Sequence, residues 1–253
     1  MSNNEGKTFE KKFAKYINGK TLNEMNDNMK EFVLWLFDDQ VKNNVKFKAE
    51  QIEGSQKPDV YIQYQDIKKY VSIKSGESRT VHQEKINKFV NYLKEHDIDE
   101  ESIDSLLYFF YNDGTVDGTG VRNWKYDEML HILKPKIKKL NEVLNKDKAF
   151  VEETLNRLLF NGAHQNYQPA DCIYYGSLFK GNYISKREIK MQVKSKSWDY
   201  METLHIGPIT LRPHVRYPKN NQYKDLSEYI DRLDFKWPTL AQDFLYIKTY
   251  YID

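Results

Sequence analysis

A carboxylate and an ammonium group are placed on neighbouring strands of one predicted hairpin. Residues 59–64 (DVYIQY) alternate as a strand does, and residues 69–75 form the return strand after a short polar turn. Because side chains alternate across a strand, Asp59, Ser72 and Lys74 can share one face, opposite to an apolar face. A negative and a positive side chain at one point can hold a divalent cation and an anionic group together.

The elements that must position this hairpin follow from apolar periodicity and turn signals. Thr80 and Gln83 match a capping box for a helix. The predicted strand from Ser105 to Tyr111 contains the uninterrupted apolar run Leu106 to Tyr111, which is typical of a strand buried on both faces. The predicted elements are helices over 6–18 and 23–37, strands over 45–52, 59–64 and 69–75, a helix over 80–95 and a strand over 105–111.

The second half of the chain is expected to elaborate this core. A Gly-rich loop at 112–120 precedes a mostly helical stretch over 125–160, and mixed strands and short helices follow. We therefore expect an α/β fold, in which residues 1–120 form a core with a central mixed sheet flanked by helices. Residues 121–253 are expected to form a helical and mixed α+β part, packed with the core as one unit.

The stretch KPDVYIQYQDIKKYVSIKSGE, with its surrounding helices and strands, resembles the PD-(D/E)xK nuclease superfamily, to which most type II restriction endonucleases belong. Pro58 and Asp59 match the PD of the family motif, and Lys74 matches its lysine. The resemblance implies a restriction-endonuclease-like core in which carboxylates hold Mg²⁺ and the lysine supports the nucleophile or the charge that develops at the phosphate. It covers less than half of the chain.

Ser72 occupies the position at which the family motif has an acid. Mg²⁺ held by one carboxylate alone would bind weakly, so a second acid is expected from elsewhere. Glu84, ten residues after Lys74, is expected near the start of the next helix, as in a branch of restriction enzymes with serine at this position, and Gln83 competes with it. Glu10 is the other donor, because GKTFEKK resembles the G-x-x-F-E pattern of the first helix in many of these nucleases.

Basic residues concentrate between residues 179 and 224. The net charge is only +2, but this segment holds ten basic and three acidic residues among aromatic ones, a mixture that suits contacts to phosphates and bases. Arginine pairs well with guanine, and asparagine with adenine, in the major groove. The residues from which we expect DNA contacts are Arg212, His214, Arg216, Lys219, Asn220 and Asn221.

Several other classes of protein are excluded by composition and motifs. The single cysteine, Cys172, excludes an internal disulfide framework and a zinc site built on several thiolates. The sequence contains no Walker phosphate loop, HExxH zinc motif, G-x-S-x-G elbow or Rossmann glycine pattern. The longest apolar runs have six residues, against the roughly 20 that a membrane helix needs. We expect an unprocessed cytoplasmic protein without a membrane anchor.

The resemblance implies a Mg²⁺-dependent, site-specific endonuclease that hydrolyses phosphodiester bonds of double-stranded DNA. It also implies a homodimer, and a cognate DNA methyltransferase is a possible partner in the same system. A structure-selective repair or nicking nuclease is the first alternative. A second is a catalytically silent nucleic-acid-binding module that kept the fold after Ser72 replaced the acid, and a third is a structural partner of a methyltransferase or helicase.

Overall fold

The protein is described by a computed structural model over residues 3–54, 57–75, 79–120, 126–162, 168–198, 202–214 and 231–252. Its helices are α1 (Asn3–Ile17), α2 (Asp27–Leu36), α3 (Ile86–Glu95), α4 (Glu100–Tyr111), α5 (Tyr126–Lys146), α6 (Lys148–Asn156), α7 (Lys186–Ser195) and α8 (Leu240–Ile247). Its strands are β1 (Lys48–Gln51), β2 (Val60–Tyr64), β3 (Ile67–Lys74), β4 (Thr80–Lys85), β5 (Cys172–Gly176), β6 (Gly181–Ser185), β7 (His205–Ile206), β8 (Ile209–His214) and β9 (Arg232–Lys236). Short helical turns lie at Leu22–Glu24, Arg157–Asn161 and Lys248–Ile252. Within these ranges, no helix combines the length and the apolar character needed to cross a bilayer.

The chain forms two compact units, each built from separate stretches of sequence. The first unit comprises Met1–Arg79, Asn156–Gln192 and Thr239–Asp253, and the second comprises Thr80–Leu155 and Val193–Pro238. The boundary expected at residue 120 falls inside the second unit, because the chain enters this unit after β3 and returns to the first only at Asn156.

The first unit contains a mixed sheet whose described strands run in the order β1-β2-β3-β5-β6. β1, β2 and β3 form an antiparallel meander in which Val60 lies opposite Val71. β5 runs parallel to β3, and β6 pairs with β5 in the antiparallel sense. A parallel neighbour requires a crossover connection, which here consists of the whole stretch from β4 to the turn after α6. The expected α/β class is confirmed as a mixed multi-strand sheet with flanking helices.

One face of this sheet is covered by α1 and α2. Phe13 and Ile17 of α1 are fully buried, in one cluster with apolar residues of α2 and of β1 to β3. The Phe13 ring meets those of Tyr174 and Phe32 at centroid distances of 4.9 and 6.0 Å, in edge-to-face geometries that aromatic pairs prefer. This packing fixes the rotation of α1, and therefore determines which of its polar residues face the sheet.

The second unit contains an antiparallel sheet in the order β4-β9-β8-β7. Its apolar face carries Leu211, Leu233 and Phe235, all buried, and Phe235 packs against Phe89 of α3 with ring centroids 5.0 Å apart. The opposite face is polar, as is common where an antiparallel sheet meets water on one side.

The predicted strand from Ser105 to Tyr111 is wrong, because these residues form the end of helix α4. Asp99 caps this helix by accepting a hydrogen bond from the Ser102 N–H at 2.9 Å, and acidic residues occupy its first turn. A short apolar run is compatible with either a buried strand or a buried helix, and here the cap decides for the helix.

The predicted helix over 80–95 begins later than expected, at Ile86, and the capping box of Thr80 and Gln83 is wrong. Residues Thr80–Lys85 form strand β4, which pairs with β9 about 150 residues further along the chain. This distant partner satisfies the backbone of a segment whose own pattern is ambiguous.

Replacing Gly181 with alanine should destabilise the first unit by about 1–3 kcal/mol, as overpacking of a core typically does. A Cβ atom at this position would overlap the Tyr174 side chain, whose hydroxyl donates to the Ser177 carbonyl at 2.6 Å. Urea unfolding of Gly181→Ala measures the loss, with Asn182→Ala, at a partly exposed position of the same strand, as the control. Equal midpoints for Gly181→Ala and the wild type would contradict the close approach of β6 to the Tyr174 ring.

Candidate functional site

The Asp59 carboxylate is held in place by strand β3. Asp59 directly precedes β2, and its N–H donates to the Val71 carbonyl at 2.9 Å. Its Oδ2 accepts a hydrogen bond from the Ile73 N–H at 2.6 Å and another from the Ser72 hydroxyl at 3.2 Å. Two donors on one oxygen fix the orientation of the carboxylate, so that Oδ1 can be offered to a ligand in a defined direction.

Ser72 and Lys74 lie on the same side of β3, because they are two residues apart on one strand. Ser72 is 1% exposed and uses its hydroxyl to bind Asp59, so it orients an acid at the position where the family motif supplies one. Lys74 is the last residue of the strand and is only half-buried. Ser72 is thus shielded from solvent beneath the Asp59 carboxylate, whereas the Lys74 ammonium at the end of the strand is accessible.

Glu10 reaches the site from helix α1. It lies three residues before the buried Phe13, so the two residues are neighbours on the face of the helix that packs on the sheet. Gln51, the last residue of β1, donates from its Nε2 to Glu10 Oε2 at 2.9 Å. This hydrogen bond ties the first helix to the end of the sheet beside Asp59, because Gln51 pairs with Val60.

The pKa of Glu10 shows that the charged groups of the site interact. Burial raises this pKa above its ordinary value of 4.5, and the negative charge of Asp59 raises it further. The hydrogen bond from Gln51 and the positive charges of Lys74 and Lys7 act in the opposite direction. The charges of Asp59 and Lys74 thus both act on the Glu10 carboxyl group. The hydrogen bond from Gln51, whose strand partner Val60 follows Asp59, is the contact that brings Glu10 to this end of the sheet.

The oxygen atoms of this cluster suit a hard divalent cation. Mg²⁺ is typically bound through one or two carboxylates and completes its shell with water and substrate phosphate. Glu10 and Asp59 provide two carboxylates as possible metal ligands. Gln51, which is hydrogen-bonded to Glu10, adds an uncharged amide oxygen as a third ligand atom. In the part of the chain that the structure describes, no three side chains of the His, Cys, Asp or Glu type converge on one point. The two carboxylates and the amide oxygen fit a partly hydrated Mg²⁺.

Glu84 belongs to the second unit, where it lies in β4 and not at the start of a helix. Its side chain is buried on the apolar face of that sheet, and its Oε1 is 3.9 Å from His82 Nε2. The neighbouring Gln83 points to the opposite face and donates to Asp234 at 2.6 Å. The contacts described for Glu84 and Gln83 are thus contacts within the second unit.

Of the six predicted DNA-contacting residues, two are described. Arg212 and His214 lie in β8, where Arg212 is exposed and His214 Nδ1 is 3.0 Å from Asp234 Oδ1. Arg216, Lys219, Asn220 and Asn221 lie outside the described residues.

A cavity of about 700 Å³ lies elsewhere, in the second unit beside α5. Asn141 and Asn145 contribute to its lining, but their amides bind the backbone of the chain at Thr203, His205 and Gly207 over 2.7–3.0 Å. These two asparagine side chains therefore hold β7 against α5.

Sequence reasoning missed Gln51 and Asp234. The alternation of β1 could have placed Gln51 at the end of its strand, but its contact with Glu10 depends on how α1 packs. Asp234 follows an apolar residue in a strand far from His214 in sequence, and only the register of β8 and β9 brings the two together.

Comparison with models of known protein families finds no match, and no protein of curated function matches this chain in sequence. The chemistry of the site therefore rests on its own residues.

The pKa of Glu10 should respond in opposite directions to two neutral substitutions. Asp59→Asn should lower it, because a repelling charge is removed, whereas Lys74→Met should raise it, because an attracting charge is removed. Carbon-13 NMR titration of the carboxyl groups measures both shifts. Glu24, whose pKa is lowered by hydrogen bonds from Thr21, is the internal control and should not move. If the Glu10 pKa is the same in the wild type and in both variants, then Glu10 is not close to Asp59 and Lys74.

Glu10→Gln should stabilise the protein at neutral pH. Because the pKa of Glu10 is raised on folding, the ionised group opposes folding above this pKa, and the penalty vanishes below the ordinary value of 4.5. Urea unfolding at pH 7 should thus show a gain that is absent in acid. Glu50→Gln is the control of opposite sign, since Tyr61 and Lys48 lower the pKa of Glu50 and its replacement should not stabilise.

Proposed function

We propose that the protein is a Mg²⁺-dependent endonuclease of the PD-(D/E)xK type that hydrolyses phosphodiester bonds of duplex DNA at a specific sequence. The observation that carries this proposal is the convergence of Glu10, Asp59 and Lys74 at one end of a mixed sheet. Two carboxylates and one ammonium are the groups that a metal-assisted attack on a phosphodiester requires.

The topology of the first unit supports the same proposal. The resemblance rests on a first helix and three following strands, and α1 and β1 to β3 occur in that order. The further strand expected at 105–111 is helix α4 and does not contribute to this agreement. The PD pair lies directly before β2 and the lysine ends β3, which is where the family motif places them.

Each residue of the site has a distinct role in this proposal. Asp59 and Glu10 bind the cation, and Ser72 keeps the Asp59 carboxylate in the orientation required. Mg²⁺, when bound, polarises the scissile phosphate and lowers the pKa of a coordinated water. Lys74 contacts the phosphate and stabilises the negative charge that develops there. Gln51 positions Glu10 by donating to its Oε2.

The raised pKa of Glu10 gives this proposal a pH dependence. Glu10 must be ionised to bind a cation, so metal affinity should fall as the pH decreases through its pKa. Asp59 and Glu10 would hold the cation, whose positive charge would offset the repulsion between the two carboxylates.

A catalytically silent nucleic-acid-binding module is the second candidate, and the observation that favours it is Ser72 in place of an acid. The proposal nevertheless assigns activity, because Glu10 supplies a carboxylate that Ser72 does not. A homodimer that cuts both strands and a cognate methyltransferase belong to the same proposal. A structure-selective or nicking nuclease would use the same groups on a different substrate.

Plasmid digestion with and without Mg²⁺ tests this function. The wild type should give discrete fragments, and Asp59→Asn, Lys74→Met and Glu10→Gln should each reduce the rate by about 100-fold or more. Lys68→Met is the matched control, because Lys68 is an exposed lysine of the same strand. Glu84→Gln should cleave at the wild-type rate and thereby separate the two candidates for the second acid.

Three results would count against the assignment. Cleavage that survives both Asp59→Asn and Lys74→Met would place the active site elsewhere, and a wild type that binds DNA without Mg²⁺-dependent cleavage would favour the silent module. Smeared or mismatch-dependent products would indicate the structure-selective nuclease.

A further inference from the structure

The polar face of the second sheet has cations in successive cross-strand rows. In one row Lys85 of β4 lies opposite Arg232 of β9, which in turn lies opposite His214 of β8. In the next row Arg212 lies opposite Asp234. Lys236 is on the same face, two residues further along β9. We call the set Gln83, Lys85, Arg212, His214, Arg232, Asp234 and Lys236 the basic sheet face.

Like charges directly opposite each other destabilise a sheet. Lys85 and Arg232 form such a pair. The ion pair described for Arg232 is with Asp231, whose Oδ1 lies 3.5 Å from the Arg232 Nε. On an ordinary solvent-facing sheet, positive and negative side chains alternate, so that residues in neighbouring cross-strand rows attract each other. The basic sheet face holds four Lys and Arg residues around one carboxylate, Asp234, in the described strands β4, β9 and β8.

Asp234 is largely occupied by its neighbours. It is 8% exposed, accepts from Gln83 Nε2 at 2.6 Å, and its Oδ1 lies 3.0 Å from His214 Nδ1. Lys236 Nζ is 3.9 Å from its other oxygen. The carboxylate therefore orients the His214 ring and the Gln83 amide, and it neutralises only part of the charge around it.

The cations themselves are accessible. Lys85 and Arg212 are exposed, and the side chains of Arg232 and Lys236 are 38% and 35% exposed. Neighbouring strands are about 4.8 Å apart, and alternate residues of one strand about 6.7 Å apart, so these groups form a two-dimensional array of positive charge on a rigid support.

We infer that the basic sheet face binds the sugar-phosphate backbone of duplex DNA, an inference that rests on the proposed function. An array of fixed cations with few carboxylates fits a polyanion of regular spacing, and phosphate contacts position a protein on DNA. This face extends the predicted DNA contacts of Arg212 and His214 to Lys85, Arg232 and Lys236, for which the sequence alone gave no indication. Gln83 and His214, held by Asp234, add hydrogen-bonding groups at its centre.

The test measures binding separately from cleavage. Fluorescence anisotropy of a short labelled duplex, in EDTA, gives affinity as a function of salt between about 50 and 200 mM. The variant Lys85→Gln/Arg212→Gln/Arg232→Gln/Lys236→Gln should bind at least roughly 10-fold more weakly than the wild type. The slope of its log affinity against log salt concentration should be smaller in magnitude by about 3.6. Circular dichroism and thermal unfolding confirm that the variant is folded.

Two matched variants distinguish the effect of the basic sheet face on DNA affinity from the effect of the total charge of the protein. Lys88→Gln/Lys94→Gln/Lys138→Gln/Lys139→Gln removes the same charge from α3 and α5 of the same unit and should keep the wild-type slope. Arg212→Lys/Arg232→Lys keeps the charge and should bind within about 2-fold of the wild type.

Equal losses in the two glutamine variants would overturn the inference, as would a wild type that does not bind duplex DNA. Tighter binding of single-stranded RNA through the same cations would overturn the assignment to duplex DNA. The proposed function fails separately: a protein that binds through this face but shows no Mg²⁺-dependent cleavage refutes the nuclease and not the face. If the protein cleaves DNA in the presence of Mg²⁺ but the four glutamine substitutions leave its DNA affinity unchanged, the basic sheet face is refuted and the nuclease is not.

Discussion

The candidate site depends on the two hydrogen bonds that β3 donates to one oxygen of Asp59. The Ile73 N–H and the Ser72 hydroxyl hold Oδ2, and the antiparallel register of β2 and β3 brings these donors to the carboxylate. A register shift of one residue would turn Ser72 and Lys74 to the opposite face and leave Asp59 without this support. The buried apolar residues on the other face of the hairpin therefore determine the geometry of the charged groups, since they allow only one register.

The ionised form of Glu10 opposes folding stability. Its carboxylate is partly buried beside the negative charge of Asp59, and both effects favour its neutral form. Gln51 and Lys74 offset this only in part, since the pKa of Glu10 is still raised. Perturbed carboxyl groups of this kind are common at functional sites, and the proposed cation site would draw on both carboxylates.

Local pattern predicted the parts of the fold in which neighbours in sequence are neighbours in space. The alternation of residues 59–64 and 69–75 indicated the hairpin, and the apolar stripe of residues 6–18 indicated α1. Glu10 itself was singled out by the family resemblance. Prediction failed where a distant segment decides the structure. Thr80–Lys85 become a strand because β9 provides their partner. Asp234 meets His214 only through the pairing of β8 with β9. The helix at Ser105–Tyr111 was missed for a different reason, because its cap at Asp99 outweighs a short apolar run that favours a strand.

Ser72 changes where the negative charge of the site comes from, and this has a structural consequence. With both acids on the hairpin, a cation site would form as soon as β2 and β3 pair. With Glu10 as the second acid, the site is complete only when α1 is packed on the sheet through Phe13 and the Gln51 hydrogen bond is made. The proposed cation site is thus a property of the tertiary fold, because side chains in the core between α1 and the sheet determine the separation of the two carboxylates.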